Sequence, residues 1–178
     1  MILDELAAYA SFRVAEAKKK IAADEMERKA RSLPKGDFRF EHALCNKGVS
    51  FICEVKRASP SKGLIAEDFP YVKIAREYEQ AGADCVSVLT EPKWFLGSDE
   101  IFKEIRAAIT LPMIRKDFTV DAYQIYEAKC MGADAVLLIC ALLPTETIRE
   151  SLKICDDLGL SALVEAHDEA EIARAIAA

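Results

Sequence analysis

Several features that mark other classes of protein are scarce in this sequence. Only 7 glycines and 6 prolines occur among 178 residues, which excludes a collagen-like or low-complexity chain. No apolar run approaches the roughly 20 residues needed to span a bilayer, so a membrane protein is not expected. Basic residues number 24 against 30 acidic ones, and the formal charge of −6 disfavours nucleic acid and anionic membrane surfaces as partners.

Closely spaced metal ligands are missing as well. The six cysteines form no Cys-x-x-Cys pair, and the two histidines, His42 and His167, have no second ligand at metal spacing. Reduced core thiols are therefore favoured over a zinc site or a disulfide framework. The opening Met-Ile-Leu-Asp-Glu places acids where a signal peptide has basic residues. We expect a cytoplasmic protein without a metal ion.

The sequence does contain 52% hydrophobic residues, arranged first in a helical pattern. In residues 2–33, apolar side chains recur every three or four positions, at Leu3, Leu6, Ala10, Val14, Ala17 and Ile21. A second helix is expected from Asp24 to Arg31, followed by a short amphipathic piece at 40–45. We assign residues 1–48 to an N-terminal helical extension.

From residue 49 onward, five short apolar runs alternate with five helical stretches. The expected strands are Phe51–Val55, Cys85–Leu89, Pro112–Ile114, Ala135–Cys140 and Ala162–Val164. The expected helices are Tyr71–Ala81, Asp99–Ile109, Ala122–Met131, Thr145–Leu158 and Asp168–Ala177. Gly82 and Gly132 stand where a left-handed residue ends a helix. Five βα units with non-alternating strands predict an all-parallel α/β structure over 49–178, in a single domain with the extension.

Charges at the strand ends distinguish an open sheet from a barrel. No G-x-G-x-x-G follows a strand, and the Ser59–Gly63 loop lacks Walker spacing, so a nucleotide site is unsupported. Glu54 and Lys56 close the first strand, Lys116 and Asp117 the third and Glu165 the fifth. Barrel enzymes keep their chemistry at the carboxyl ends of the strands. The predicted fold class is α/β, an incomplete TIM-type (β/α) barrel of five βα units preceded by a helical extension.

Four of these strand-end side chains form the candidate reacting group: Glu54, Lys56, Lys116 and Glu165. Charged side chains at the edge of an apolar strand layer are expected to have an ion-pair partner or a functional role. The reason is that burying an unpaired charge is unfavourable by several kcal/mol. A lysine acid and a glutamate base make a usable pair when their surroundings bring the two pKa values together. The alternative interpretation, ordinary strand-end charges that face water, stays open.

Two loops add further candidates. Ser59, Ser61 and Lys62 suit an anionic group, although the same residues suit a plain Pro-Ser turn. Trp94 and Phe95 follow the second strand. They either stack on a planar substrate, which we favour, or pin the loop.

Four motifs stand out when the strand ends are taken in order. They are Cys53-Glu-Val-Lys-Arg-Ala-Ser-Pro-Ser-Lys-Gly63, Leu89-Thr-Glu91 with Trp94-Phe-Leu-Gly-Ser98, Ile114-Arg-Lys-Asp-Phe118 and Leu163-Val-Glu-Ala-His167. Together they resemble the indole-3-glycerol-phosphate synthases of tryptophan biosynthesis. Ile2-Leu-Asp and Val14-Ala-Glu-Ala-Lys-Lys-Lys20 also resemble the N-terminal helix of that family, so the resemblance covers essentially the whole chain.

The resemblance implies a barrel enzyme that converts 1-(2-carboxyphenylamino)-1-deoxyribulose 5-phosphate to indole-3-glycerol phosphate, with release of carbon dioxide and water. It implies that Lys116 is the general acid that protonates the ribulose carbonyl. Lys56 would bind substrate and act as an acid in the later dehydration, with Glu54 beside it as base. Glu165 would stabilise the charged intermediate or act as a base.

The resemblance also assigns residues that bind substrate without reacting. Phe95 and Phe118 correspond to walls of the anthranilate pocket, and Ser59 to a polar contact with substrate. No cofactor is implied, since ring closure leaves an alkoxide that needs only a proton and decarboxylation restores aromaticity.

The resemblance further implies three more barrel strands that these 178 residues do not contain, and the last two of them carry most of the phosphate site. We therefore expect a phosphorylated small-molecule substrate but little or no activity from the isolated chain. The first and fifth strands become sheet edges, and the apolar segment 50–53 predicts a homodimer or higher oligomer that covers them.

Two other functions stay open. A lysine at a barrel strand end also forms the imine of a Schiff-base lyase. Alternatively, the chain is a non-catalytic oligomeric scaffold, or a fragment that needs a complementing C-terminal part.

Overall fold

The structure, a computed structural model, describes residues 2–45 and 48–178. The helices in these ranges are α1 (Ile2–Lys20), α2 (Ala23–Ser32), α3 (Arg39–Leu44), α4 (Tyr71–Gln80), α5 (Asp99–Ala108), α6 (Ala122–Cys130), α7 (Thr145–Leu158) and α8 (Glu169–Ala177). The strands are β1 (Ile52–Val55), β2 (Ala58–Ser59), β3 (Gly63–Leu64), β4 (Cys85–Leu89), β5 (Met113–Lys116), β6 (Ala135–Ile139) and β7 (Ser161–Glu165).

Five of the strands form one parallel sheet in the order β1-β4-β5-β6-β7, and a helix follows each of them. This arrangement confirms the predicted series of βα units and is consistent with a partial TIM-type barrel. Gly82 and Gly132 have φ of 85° and 82°, the left-handed conformation expected where each helix gives way to the next strand. The antiparallel hairpin β2–β3, in the loop after β1, was not predicted.

Both faces of the sheet are covered at its centre, which explains why the apolar runs do not alternate. Every residue of β6 is buried. Ala135, Leu137 and Ile139 pack on the inner side with Phe40. Val136, between them, joins the larger cluster between the sheet and the surrounding helices. Alternate residues of a strand therefore face the inner side of the sheet. Strand-end residues that continue this alternation place their side chains on the same inner side.

The helices of the N-terminal extension pack against the sheet and the helices around it. Val14 of α1 and Met26 of α2 belong to the same apolar cluster as the sheet, and α2 packs on α6. Helix α3 closes the amino end of the strands with Phe40, which is buried among inner-face side chains. The backbone N–H of Glu41 donates to Ser161 Oγ at 3.2 Å, which ties α3 to β7.

A backbone crossing attaches the extension beneath β7. The N–H of Gly36 donates to the Leu158 carbonyl at 2.9 Å, and the N–H of Phe38 donates to the Gly159 carbonyl at 3.3 Å. A Cβ added at Gly36 would lie 2.2 Å from the Gly159 carbonyl oxygen. The atom that the added methyl group would meet belongs to the backbone, so no flexible side chain can move aside to relieve the overlap.

We expect Gly36→Ala to lower the free energy of unfolding by about 1–3 kcal/mol, as in other cases of overpacking. Urea denaturation followed by circular dichroism measures the change. Lys35→Ala, at the exposed neighbouring position, is the matched control and should leave the unfolding midpoint unchanged. An alanine variant at residue 36 as stable as the parent would contradict the packing described.

The outer strands of the sheet leave apolar side chains exposed. Phe51 and Ile52 are exposed at β1, as are Leu163 at β7 and Ile176 on the final helix. Among the strands that the structure describes, β1 and β7 each pair with a single neighbour, as expected. No helix in the described ranges has an apolar stretch long enough to cross a membrane.

Candidate functional site

The four predicted charged residues lie at the carboxyl end of the parallel sheet. Glu54 is in β1 and Lys56 directly follows that strand, whereas Lys116 and Glu165 are the last residues of β5 and β7. Parallel strands bring their carboxyl ends to one edge, so Lys116 and Glu165, which lie in different strands and far apart in the chain, become neighbours.

The structure joins these side chains as two ion pairs. Lys56 Nζ donates to Glu54 Oε1 at 2.5 Å, and Lys116 Nζ lies 3.9 Å from Glu165 Oε2. All four side chains are between 30% and 35% exposed, so they are partly desolvated yet within reach of a ligand. Among the described residues, no ion pair links one of these pairs to the other.

A polar residue inside the sheet orients the first pair. Ser87, at the centre of the otherwise apolar β4, is the register partner of Glu54. Its Oγ donates to Glu54 Oε2 at 3.2 Å, while Oε1 accepts from Lys56. Ser87 was not predicted as a site residue, although a lone hydroxyl in a buried apolar run is a recognisable signal.

Two phenylalanines stand together in the loops beyond the strand ends. The ring centroids of Phe95 and Phe118 are 6.1 Å apart with an interplanar angle of 45°. Phe118 also packs on the inner-face cluster, so this aromatic pair borders the same side of the sheet as the two ion pairs. The arrangement suits an aromatic ring of a ligand.

Trp94 packs against the N-terminal helix. Its ring makes an edge contact with Tyr9, with centroids 5.6 Å apart, and Lys93 Nζ lies 4.2 Å from its centroid. Of the two interpretations of this loop, these contacts favour pinning for Trp94. Stacking on the substrate stays a prediction for Phe95.

The loop that carries these aromatic residues is built around a buried carboxylate. Glu91 is completely buried and accepts hydrogen bonds from the backbone N–H groups of Lys93, Trp94 and Phe95 at 2.7–3.0 Å. Its own carbonyl accepts from the N–H of Gly97 at 2.9 Å. Glu91 lies within one of the four motifs, but this structural role was not predicted from the sequence.

Ser59 is the last residue of β2, next to the turn of the β2–β3 hairpin. It is nearly buried, and its Oγ accepts from the N–H of Lys62 at 3.2 Å. The Arg57 carbonyl accepts from the N–H groups of Ile65 and Ala66, which closes the loop. The turn interpretation thus describes the local geometry, while the hydroxyl proton of Ser59 is free of any assigned acceptor among the described residues.

Behind Lys116 lies a buried charge network that was not predicted from the sequence. Asp117 accepts from both terminal nitrogens of Arg13, at 3.0 and 2.5 Å, and from Thr90 Oγ1 at 2.6 Å. Arg115 lies 3.0 Å from Asp99 and 3.9 Å from Asp117. Burial alone would raise the pKa of the Asp117 carboxyl, but the hydrogen bonds from Arg13 and the charges of both arginines hold that pKa below its usual value.

The lowered pKa of Asp117 gives folding a defined acid dependence. Its stabilising contribution is complete above the unfolded-state pKa of about 3.9, and it is lost as pH falls towards the lower folded-state pKa. We expect the stability difference between the parent and Asp117→Asn to shrink between pH 7 and pH 3, as measured by urea denaturation. Asp24→Asn, in an exposed ion pair with Arg28, is the control. A difference for Asp117→Asn that does not change with pH would contradict the assignment.

His167 contacts carboxylates on both sides of its ring. Its Nε2 lies 3.3 Å from Glu165 Oε1, and its Nδ1 lies 3.3 Å from Glu171 Oε2. Within residues 2–45 and 48–178, no three His, Cys, Asp or Glu side chains are placed to hold a metal ion.

Comparisons with known proteins agree with the motifs at these positions. The family model of indole-3-glycerol phosphate synthase matches residues 3–178. An indole-3-glycerol phosphate synthase of Ruminiclostridium cellulolyticum is 55% identical over 179 residues, which cover 100% of this chain and 69% of the relative. Another, from Endomicrobium trichonymphae, is 50% identical with the same coverage, and one from Lacticaseibacillus casei is 44% identical over 99% of this chain and 68% of its own length. The chain therefore belongs to the indole-3-glycerol phosphate synthase family, as its motifs predicted.

Proposed function

We propose that the carboxyl end of this sheet carries the ring-closing and decarboxylating chemistry of the family, acting on 1-(2-carboxyphenylamino)-1-deoxyribulose 5-phosphate. The observation that carries the proposal is the placement of two lysine–glutamate pairs at one sheet edge, bordered by Phe95 and Phe118. An acid and a base that are partly desolvated and adjacent are what proton transfer at a carbonyl requires.

The first step closes the ring. A ring carbon of the aryl group attacks the ribulose carbonyl carbon, and the carbonyl oxygen takes a proton from Lys116 as the carbon–carbon bond forms. Glu165, 3.9 Å from Lys116, stabilises the positive charge that develops on the substrate. Loss of the carboxyl group as carbon dioxide then returns its bonding electrons to the ring.

The second step removes water. Glu54 accepts a proton from the intermediate while Lys56 protonates the departing hydroxyl, and the double bond of the indole forms. Because Lys56 and Glu54 are in contact at 2.5 Å, a proton can return from base to acid after each turnover. Phe95 and Phe118 hold the aryl group, and Ser59 contributes a polar contact.

We further propose that the isolated chain is weakly active or inactive, because the barrel segments that anchor phosphate in the family lie outside these residues. Binding energy from a remote phosphate positions the reacting atoms, so its loss lowers turnover as well as affinity. The alternative role is a fragment or scaffold that requires a complementing C-terminal part.

A chimera tests both statements. The segment of the Ruminiclostridium cellulolyticum relative that carries barrel strands six to eight is joined after Ala178, and indole fluorescence follows product formation from the substrate. We expect the chimera to turn over at least 100 times faster than the isolated chain. A folded chimera without product would refute the proposed function. Borohydride trapping of a keto-sugar phosphate on Lys116 would instead support a Schiff-base lyase.

We also propose that the isolated chain forms a homodimer or higher oligomer that covers its open edges. Phe51 and Ile52 at one edge and Leu163 at the other are exposed. Light scattering at micromolar concentration should show an oligomer for the isolated chain and an assembly of fewer subunits for the chimera. A monodisperse monomer of the isolated chain would refute this.

A cytoplasmic location and a single domain built from residues 1–48 and 49–178 complete the proposal. All six cysteines are free thiols, and burial raises the pKa of Cys85 and of Cys155 to about 12, so these two stay protonated. The apolar cluster shared by Val14, Met26 and the sheet supports one domain.

A further inference from the structure

Helix α1 contacts the two loops that hold the aromatic pair of the site. The contacts come from Tyr9 and Arg13, which are one helical turn apart and so share a face of the helix. The guanidinium of Arg13 lies 5.7 Å from the Tyr9 ring centroid, so the two side chains also contact each other.

The first contact fixes the end of β5. Arg13 grips both carboxylate oxygens of Asp117 in the forked geometry that fits a planar guanidinium to a carboxylate. The carboxylate is 2% exposed, and it also accepts from the backbone N–H of Phe118 at 2.8 Å. Asp117 stands between Lys116 and Phe118 in the chain. Its position therefore determines the position of the proposed acid and of one aromatic wall.

The second contact fixes the loop after β4. The Tyr9 ring meets Trp94 edge-on at an interplanar angle of 85°, and Lys93 Nζ lies 5.4 Å from the Tyr9 centroid. Trp94 immediately precedes Phe95. Tyr9 therefore holds the opposite wall of the pair, so that one helix face reaches both Phe95 and Phe118.

We propose that Arg13 and Tyr9 are positioning residues that set the separation of Phe95 and Phe118, and thereby the fit of an aromatic carboxylate ring. The identity of that ring rests on the proposed function, whereas the positioning role does not. Neither residue touches the reacting atoms. Removal of Arg13 frees Asp117 to turn towards Arg115, 3.9 Å away, and the Phe118 amide loses its acceptor.

The same helix offers a matched control. Lys18 Nζ binds Asp121 Oδ2 at 2.7 Å, and both side chains are 36% exposed. Lys18→Met removes an ion pair between α1 and the same loop region without touching Asp117. It separates a general loosening of α1 from the specific loss of the Arg13 contact.

Amide hydrogen exchange, followed by NMR, tests the positioning role without any ligand. In Arg13→Met we expect the Phe118 amide to exchange at least tenfold faster relative to the amides of β6, and Lys18→Met to leave that ratio unchanged. Arg13→Lys keeps the positive charge but not the two parallel hydrogen bonds to Asp117, so it should give an intermediate exchange ratio. This variant replaces Arg13→Met in the test if Arg13→Met does not fold. Equal acceleration at all amides, or none at Phe118, would overturn the proposal.

Steady-state kinetics of the chimera test whether the positions of Phe95 and Phe118 affect binding of the aromatic ring of the substrate. Arg13→Lys and Tyr9→Leu should raise KM for the substrate at least fivefold with a smaller change in kcat, and Lys18→Met should change neither. An unchanged KM for Arg13→Lys and Tyr9→Leu would overturn the link to ring binding. If the parent chimera makes no product, the proposed function fails, and the exchange ratio alone decides the positioning role.

Discussion

Replacing Lys116 with alanine is expected to slow product formation in the chimera by about 10²- to 10⁴-fold, the usual contribution of a positioned general acid. Ring closure places negative charge on the former carbonyl oxygen, and Lys116 is the cation that faces Glu165 at this edge of the sheet. Without that proton donor, water must protonate an alkoxide in a partly desolvated site, where the developing charge is poorly stabilised.

The prediction is specific to the position of the lysine. Lys73→Ala, which removes an exposed lysine of α4, should leave turnover unchanged. Lys56→Ala should affect the dehydration, so a ring-closed intermediate should accumulate in that variant but not in Lys116→Ala. Turnover within tenfold of the parent for Lys116→Ala would show that another group supplies the proton.

The largest loss of stability is expected at Arg115, where a methionine should lower the free energy of unfolding by about 3–5 kcal/mol. The Arg115 side chain is 4% exposed and lies 2.8 Å from Glu127 and 3.0 Å from Asp99. Methionine fills much of the volume but leaves Glu127 and Asp99 without this cation, and it leaves Asp117 with Arg13 alone. Uncompensated buried charges are among the few causes of effects this large.

Chemical denaturation with urea measures this loss, and Arg28→Met provides the control because Arg28 pairs with Asp24 on the surface of α2. The control should change stability by no more than about 0.5 kcal/mol, since exposed ion pairs contribute little. A loss below about 1 kcal/mol for Arg115→Met would mean that the network is dispensable to the fold.

The features that could be predicted from sequence follow from local periodicity. Side chains alternate along a strand, so the separation of Glu54 from Lys56 predicts a shared face, and the two residues form an ion pair. The carboxyl ends of parallel strands meet, which predicts that Lys116 and Glu165 lie at the same edge of the sheet, and the structure places Lys116 Nζ 3.9 Å from Glu165 Oε2. In both cases an elementary rule of geometry connects the sequence to the contact.

The features that could not be predicted depend on contacts without a local signature. Arg13 and Asp117 are 104 positions apart, and nothing in the helical stripe of α1 marks Arg13 as different from its other charged residues. The β2–β3 hairpin has two residues per strand, too few to show a period. Trp94 looked like a ligand contact because its partner, Tyr9, lies in a helix that precedes the barrel.

The measurement that tests the central claim most directly uses substrate labelled with ¹³C at the carboxyl group. NMR follows labelled carbon dioxide and bicarbonate while fluorescence follows indole, in the chimera and in its Lys116→Ala variant. We predict one equivalent of labelled carbon released for each indole formed, with both signals lost together in the variant. Indole formation that survives the loss of Lys116, or release of the label without indole, would contradict the assignment of this site.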